Sequence, residues 1–193
     1  MEHLIRAVRA GEWRQVRELR LVALRDPAAP VAFLETYEKA VARPDEFWQD
    51  RAAGAAAPGG GIRQFIAEGP DGGWAGSVTV IVEEPGTQSV LGSVIEQRQA
   101  HLVGVFVRPE VRGTGLTEAL FEAAVEWALA PEGEGAGVER VRLFVHEDNA
   151  RAEAFYRKFG FVRSGLNAPV PDDPGAREHE MVLGRGRRTA DTA

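Results

Sequence analysis

The stretch VFVRPEVRGTGLTEALFEAAVEWA, Val105 to Ala128, decides how the chain is read. Its first part closes HLVGVFV (101–107), which is apolar on both alternating faces, as a strand buried centrally in a sheet must be. Pro109 stops that strand. From Leu116 onward the period changes: Leu116, Leu120, Ala123, Ala124, Trp127 and Ala128 form one apolar stripe, and Glu118, Glu122 and Glu126 form the opposite face. A buried strand therefore turns into an amphipathic helix across RGTG, Arg112 to Gly115.

Such a junction has chemical consequences. The first amides of a helix lack internal partners and lie at the positive end of its dipole. Gly113 and Gly115 leave the backbone bare, so a bulky anion can approach it closely. Arg112 adds a guanidinium at the rim, and Thr114 and Thr117 add hydroxyls. A diphosphate suits this cradle. Two familiar phosphate loops do not fit: Glu118 stands where a dinucleotide fingerprint wants its third glycine, and GTGLTE lacks a Gly-Lys-Ser/Thr ending. Taken alone, the glycines admit a tight turn with no ligand.

Outward from this stretch, the chain alternates strands and helices. HLIRAVR (3–9) reads as a first strand, and a helix is predicted from Gly11 to Leu24. A second helix is predicted from Val31 to Ala42, and a short third one holds Phe47 and Trp48. GAAAPGGG (54–61) reads as a loop. IRQFIAE and WAGSVTVIVEE, joined by GPDGG, form an antiparallel hairpin, and 85–100 is read as a loop. After the central helix, EGEGAG breaks the run and VRLFV (141–145) is the next strand. Ala152, Phe155, Tyr156 and Phe159 recur at helical spacing up to the stop at Gly160. FVRSG and EHEMVLG close the sheet. The fold class is α/β, an α+β mixed sheet with helices on both faces.

Composition bounds the rest. With 193 residues, 44% hydrophobic and 27% charged, the chain has the make-up of one soluble globular domain. We assign it to 1–184, with 185–193 as a disordered tail. Cysteine is absent, which removes thiolate ligands and cysteine nucleophiles and fits a reducing cytoplasm. No metal site is read. A net charge of −6 argues against nucleic acid as partner, and no apolar run is long enough for a membrane span.

The central stretch and the later NARAEAFYRKFGF (149–161) together resemble the GNAT superfamily of acyl-CoA-dependent N-acetyltransferases. That family carries Gln/Arg-x-x-Gly-x-Gly/Ala at a strand-to-helix turn, filled here from Arg112 to Thr117, with Thr117 where the last Gly or Ala belongs. Its second pattern, Asn-x-x-Ala-x-x-hydrophobic-Tyr-x-x-x-Gly-Phe, is matched from Asn149 to Phe161. The resemblance implies a single domain whose sheet splays at the cofactor site, and transfer of an acetyl group from acetyl-CoA to a primary amine by direct attack in a ternary complex. It implies that the backbone of Val105, Phe106 and Val107 pairs with the pantetheine arm. It puts the diphosphate on Arg112, Gly113, Thr114, Gly115, Leu116 and Thr117. Asn149 would meet the thioester end and Phe155 would line the channel, although spacing alone makes the one a helix cap and the other a core residue.

Tyr156 is the implied general acid toward the departing thiolate. The base varies within the family; His101 and Glu83 are the candidates carried forward, with Glu84 and His146 beside them. Phe33, Tyr37, Phe47 and Trp48 either wall the acceptor pocket or pack the front helices onto the sheet. The acceptor is a small-molecule or peptide amine, the acid excess favouring a cationic one, and the resemblance admits a homodimer. The alternatives are a non-catalytic acyl-CoA-binding module of the same fold and an unrelated α/β nucleotide-binding protein.

Overall fold

A computed structural model describes residues 3–89, 91–171 and 173–186. Within them one seven-stranded sheet has the order β1-β2-β3-β4-β5-β7-β6. The strands are β1 (Leu4–Ala7), β2 (Ile62–Glu68), β3 (Trp74–Glu83), β4 (Gln99–Val107), β5 (Arg140–His146), β6 (Val162–Val170) and β7 (Asp173–Gly184). All neighbours are antiparallel except β4 and β5, which run parallel. The expected mixed sheet is what the chain forms.

The parallel pair positions the site. β4 and β5 are in register only at Ala100↔Val141 and His101↔Arg142. Beyond His101, β4 stays paired with β3 as far as Val107, and among the described residues its other edge faces no strand. A bulge contributes to the opening. The β3 register jumps from Ser77↔Phe106 to Thr79↔Val103, setting two β4 residues against one, and Gly104 takes φ +62°, which a side chain would resist.

Helices cover both faces. On one, α5 (Leu116–Leu129) lays Leu116, Leu120, Ala124 and Ala128 on the sheet. Beside it α6 (Ala150–Phe159) adds Tyr156, and Phe121 forms a cluster with Phe155, Tyr156, Phe159 and Phe161. On the other face, α1 (Trp13–Ala23) and α4 (Asp45–Ala56) bury Val16, Leu19, Trp48 and Ala52 against Ile66 and Phe106. Alternating strand positions divide between the two layers: Val141, Leu143 and Val145 point into the α5 side, leaving Arg142, Phe144 and His146 to the other.

The front of the chain departs from the expected pattern. Val31–Ala42 is not one helix but two short ones, α2 (Ala29–Ala32) and α3 (Tyr37–Val41), with Phe33 extended between them. Tertiary contacts win over local periodicity here. The Phe33 ring lies under the Arg20 guanidinium at 4.6 Å, Glu35 pairs with Arg20 at 3.1 Å, and Thr36 then caps α3 by accepting from the Lys39 amide. The third helix is the twelve-residue α4, running on through Gly54 to Ala56, so the loop begins at Ala57. Asp45 and Glu46 in its first turn suit the dipole, and Trp48, Ala52 and Ala55 form its buried stripe. β6 and β7 are longer than the sequence segments read for them because they pair with one another as a hairpin.

Of the tail expected over 185–193, the part from residue 187 lies outside the described residues. Arg185 bonds to Glu139 and to the Leu129 carbonyl. Among the described residues no helix is long and apolar enough to cross a membrane.

Candidate active site

The gap between β4 and β5 is a cleft of about 670 Å³, and one continuous lining includes Val105, Phe106, Val107, Gly113, Gly115, Thr117, His101, Asn149, Phe155 and Tyr156. Residues from three separate sequence blocks thus share one cavity.

At one end lies the glycine turn. Gly113 and Gly115 have φ of +78° and +87°, left-handed values that strain any side chain, and a Cβ at either would meet nothing within 4 Å. No side chain of the described residues caps α5. Among the described residues, the amides of 113–118 donate to no carbonyl or side chain. Unpaired amides at a helix start beside open space suit an anion.

The neighbouring side chains differ in their availability. Arg112 is engaged, donating from Nε to the Val107 carbonyl at 2.9 Å and pairing with Asp26, so it braces the turn between β4 and the end of α1. Thr114 donates to the Val111 carbonyl at 2.8 Å, and Leu116 is buried in the core, which leaves its backbone as its contribution to the cradle. Arg151 and Lys158 of α6 also border the cleft and add positive charge there.

Asn149 has the capping role: its Oδ1 accepts from the Ala152 amide at 3.2 Å, while Nδ2 donates to the Val31 carbonyl at 3.3 Å. It ties the start of α6 to α2 across the cleft. Tyr156, 9% exposed, stacks on Phe121 with centroids 5.6 Å apart. Its hydroxyl has no hydrogen-bond partner among the described residues. Burial, and then the charge of Glu178, push the phenol above its ordinary value, so it holds its proton at neutral pH.

His101 borders the cleft, and its Nδ1 lies 3.2 Å from Oε1 of Glu83. Glu83 does not border it. Its carboxylate takes two bonds from Arg142, each 2.8 Å, and one from Gln99 at 2.9 Å. Burial would raise this carboxyl, but hydrogen bonds from His101 and Arg142 outweigh that and hold it down at about 2. Of the two base candidates, one therefore faces the cavity and the other stands behind it, as a carboxylate that orients an imidazole. His146 accepts from the Asp148 amide through Nδ1 at 3.1 Å.

Sequence reading missed Glu178. It pairs with His146 across β5 and β7, borders the cleft, and has no side-chain hydrogen bond among the described residues. Burial raises its carboxyl above its ordinary value, against a smaller opposing effect of His146. The alternation of β7 would have put Glu178 and Glu180 on one face, but nothing local says which face borders a cavity. Of the front aromatics, Phe33 borders the cleft, whereas Trp48 is fully buried beneath α4.

A mixed sheet split between two parallel strands, with bare helix-start amides at one end of the split, defines an acetyltransferase-type fold. Among protein families, the Acetyltransferase (GNAT) family matches residues 13–161, and the chain belongs to that family. The chain is 34% identical over 125 residues to a mycothiol acetyltransferase of Salinispora arenicola, an alignment covering 63% of this chain and 33% of that protein. It spans 61% and 33% of the lengths of the curated relatives it matches. Among solved structures, a GNAT-family acetyltransferase from Streptococcus pneumoniae superposes with a TM-score of 0.71 at 20% identity, covering 95% of this chain and 99% of that one. A phosphinothricin acetyltransferase from Sinorhizobium meliloti, in complex with AcCoA, gives 0.69 at 18% identity over 100% and 94%.

Proposed function

We propose that the protein moves an acetyl group from acetyl-CoA to a primary amine by direct attack in a ternary complex. One observation carries this reading: the unpaired amides of the glycine turn, the free edge of β4 and Tyr156 all border a single cleft. The related fold from Sinorhizobium meliloti, whose structure is a complex with AcCoA, supports the choice of donor.

In this reading the diphosphate lies on the amides from Gly113 through Leu116 and on Thr117, with Arg112 fixing the turn and Thr114 closing its inner side. The pantetheine arm adds like a strand to the free edge at Val105, Phe106 and Val107, next to the bulge at Gly104. Phe155 lines the channel and Asn149 stands near the thioester. Glu178 draws the acceptor's ammonium toward the carbonyl. His101, with Glu83 holding its Nδ1–H, accepts one proton from it. The amine nitrogen then bonds to the carbonyl carbon, and the carbon–sulfur bond breaks as Tyr156 gives its proton to the departing sulfur. The phenolate so formed takes the second proton that the nitrogen sheds on becoming an amide. The chain has no cysteine to carry the acyl group in between.

A thiol-release assay with acetyl-CoA and a panel of amines, run beside melting scans, tests this. Acetyl-CoA raises the melting temperature and at least one amine drives release of free CoA. A melting shift with no release across the panel would leave a binding module, and no shift at all would remove the donor as well.

A further inference from the structure

Behind the cleft, a small recess of about 20 Å³ lies between the sheet and helices α1 and α4. It is lined by Arg20, Arg51, Gln64, Ser77 and Thr79, and it shares Arg20, Arg51, Gly104 and Phe106 with the cleft, so the two spaces adjoin at the β4 bulge. Gln64 and Thr79 face each other across β2 and β3, with Ser77 two residues along on the same face. These three are 7%, 6% and 6% exposed, yet none makes a side-chain hydrogen bond among the described residues. Buried polar groups are ordinarily paired, so a set that converges unpaired on one space calls for an occupant. The space itself holds one water or one oxygen atom, so an acid group seated at the rim shared with the cleft would put a single oxygen into it.

Charge identifies that occupant. Arg51 makes no hydrogen bond or ion pair among the described residues. Arg20 shares Glu35 with Arg43, at 3.1 Å and 3.6 Å, so one carboxylate stands among three guanidiniums. Burial, and after it the like charge of Arg51, loosens the Arg20 proton, as expected of two cations brought together without enough counter-charge. A guanidinium pair with amide and hydroxyl donors behind it matches the geometry of an acid group. The donor's diphosphate has its own cradle at the glycine turn, and none of that cradle's residues lines the recess.

We propose that Arg20 and Arg51 are the acid-binding end of the acceptor site, so that the amine substrate carries a carboxylate-sized anion. This rests on the acetyl-transfer reading, and it names the substrate class as amino acids and similar amino acids' derivatives with a free acid group. Glu178 then meets the ammonium and the arginines meet the anion, at separate parts of one cleft. Overall acidity of the chain, which favours a cationic acceptor, is overruled by the local charge.

The test compares amino acids with their amides and with polyamines in the thiol-release assay, using the native protein, Arg51→Met and Arg51→Lys. The native protein prefers acid to amide by about 100-fold in kcat/KM, because the amide loses the charge and turns an NH2 donor toward the guanidinium donors, a loss of the size of a hydrogen bond to a charged group. Arg51→Met collapses that preference, Arg51→Lys restores part of it, and both keep the melting shift given by acetyl-CoA. Amides or polyamines used as well as acids, or loss of the acetyl-CoA shift in Arg51→Met, would overturn the proposal. A second arm needs no turnover: N-acetylated amino acids with CoA raise the melting temperature of the native protein, and those with a blocked acid do not. Equal shifts there overturn the acid site even if transfer is observed, whereas an acid-specific shift without thiol release sustains it and sinks the transfer reading alone.

Discussion

Tyr156 sits where a packed aromatic and a proton donor look alike. Its ring is stacked on Phe121 and belongs to the core, yet the residue borders the cleft and its hydroxyl is left without a partner among the described residues. A phenol kept protonated by burial and by Glu178 can give a proton to a thiolate but does not compete as a nucleophile. Tyr156→Phe keeps the ring and removes only the donor. Turnover should fall about 100-fold, within the range of general-acid contributions, while the acetyl-CoA melting shift stays. Steady-state kinetics beside melting scans check this, and unchanged kcat would take the residue out of the chemistry. Helical spacing alone reads the tyrosine as a core aromatic; its match to the family's second pattern, from Asn149 to Phe161, is what singles it out. His101 and Glu83 were legible only as candidates, since their separation into a cavity-facing imidazole and a carboxylate behind it is set by Arg142, 59 residues from Glu83.

At the scale of elements, the turn from β4 into α5 concentrates the local information. Strand, stop, two left-handed glycines and an uncapped helix follow one another within the chain, so periodicity and turn chemistry suffice to read them. Gly115→Val tests the cradle. Its Cβ would meet nothing within 4 Å, so the cost is backbone strain at φ +87°, about 1–3 kcal/mol, and not overlap with a neighbour. The variant folds with a lower melting temperature and no longer responds to acetyl-CoA; a full response would mean that the diphosphate lies elsewhere. The front helices were less legible for the opposite reason. Phe33 and Tyr37 are spaced like one helical face, but Arg20 holds Phe33 and Glu35 from another element and breaks the run. Arg51 and Glu178 belong to the same case: α4 and β7 bring them to the cleft, and neither has a local signal.

Across the whole molecule, the two halves of the sheet are joined beneath the cleft by a buried charge network. Glu83 of β3 holds Arg142 of β5, Arg142 reaches Glu180 of β7 at 3.1 Å, and Arg140 meets the same glutamate at 2.9 Å. Gln99 and His101 of β4 complete it, so the four central strands are pinned where β4 and β5 are still in register. Two arginines and two glutamates balance, and removing one leaves a buried charge short of its partner. Glu83→Gln should therefore lose about 3 kcal/mol of stability at neutral pH, at the lower end for a broken buried pair because Arg142 retains Glu180. The pH dependence has a definite sign. Glu83 is depressed from 4.5 to about 2, so its contribution is complete above 4.5 and disappears as pH falls toward 2. Urea unfolding at pH 7, 4 and 3 should show the native protein weakening faster than Glu83→Gln, with the two curves converging in acid. Parallel curves would mean that the carboxylate does not hold the sheet together, and that His101 is oriented from elsewhere.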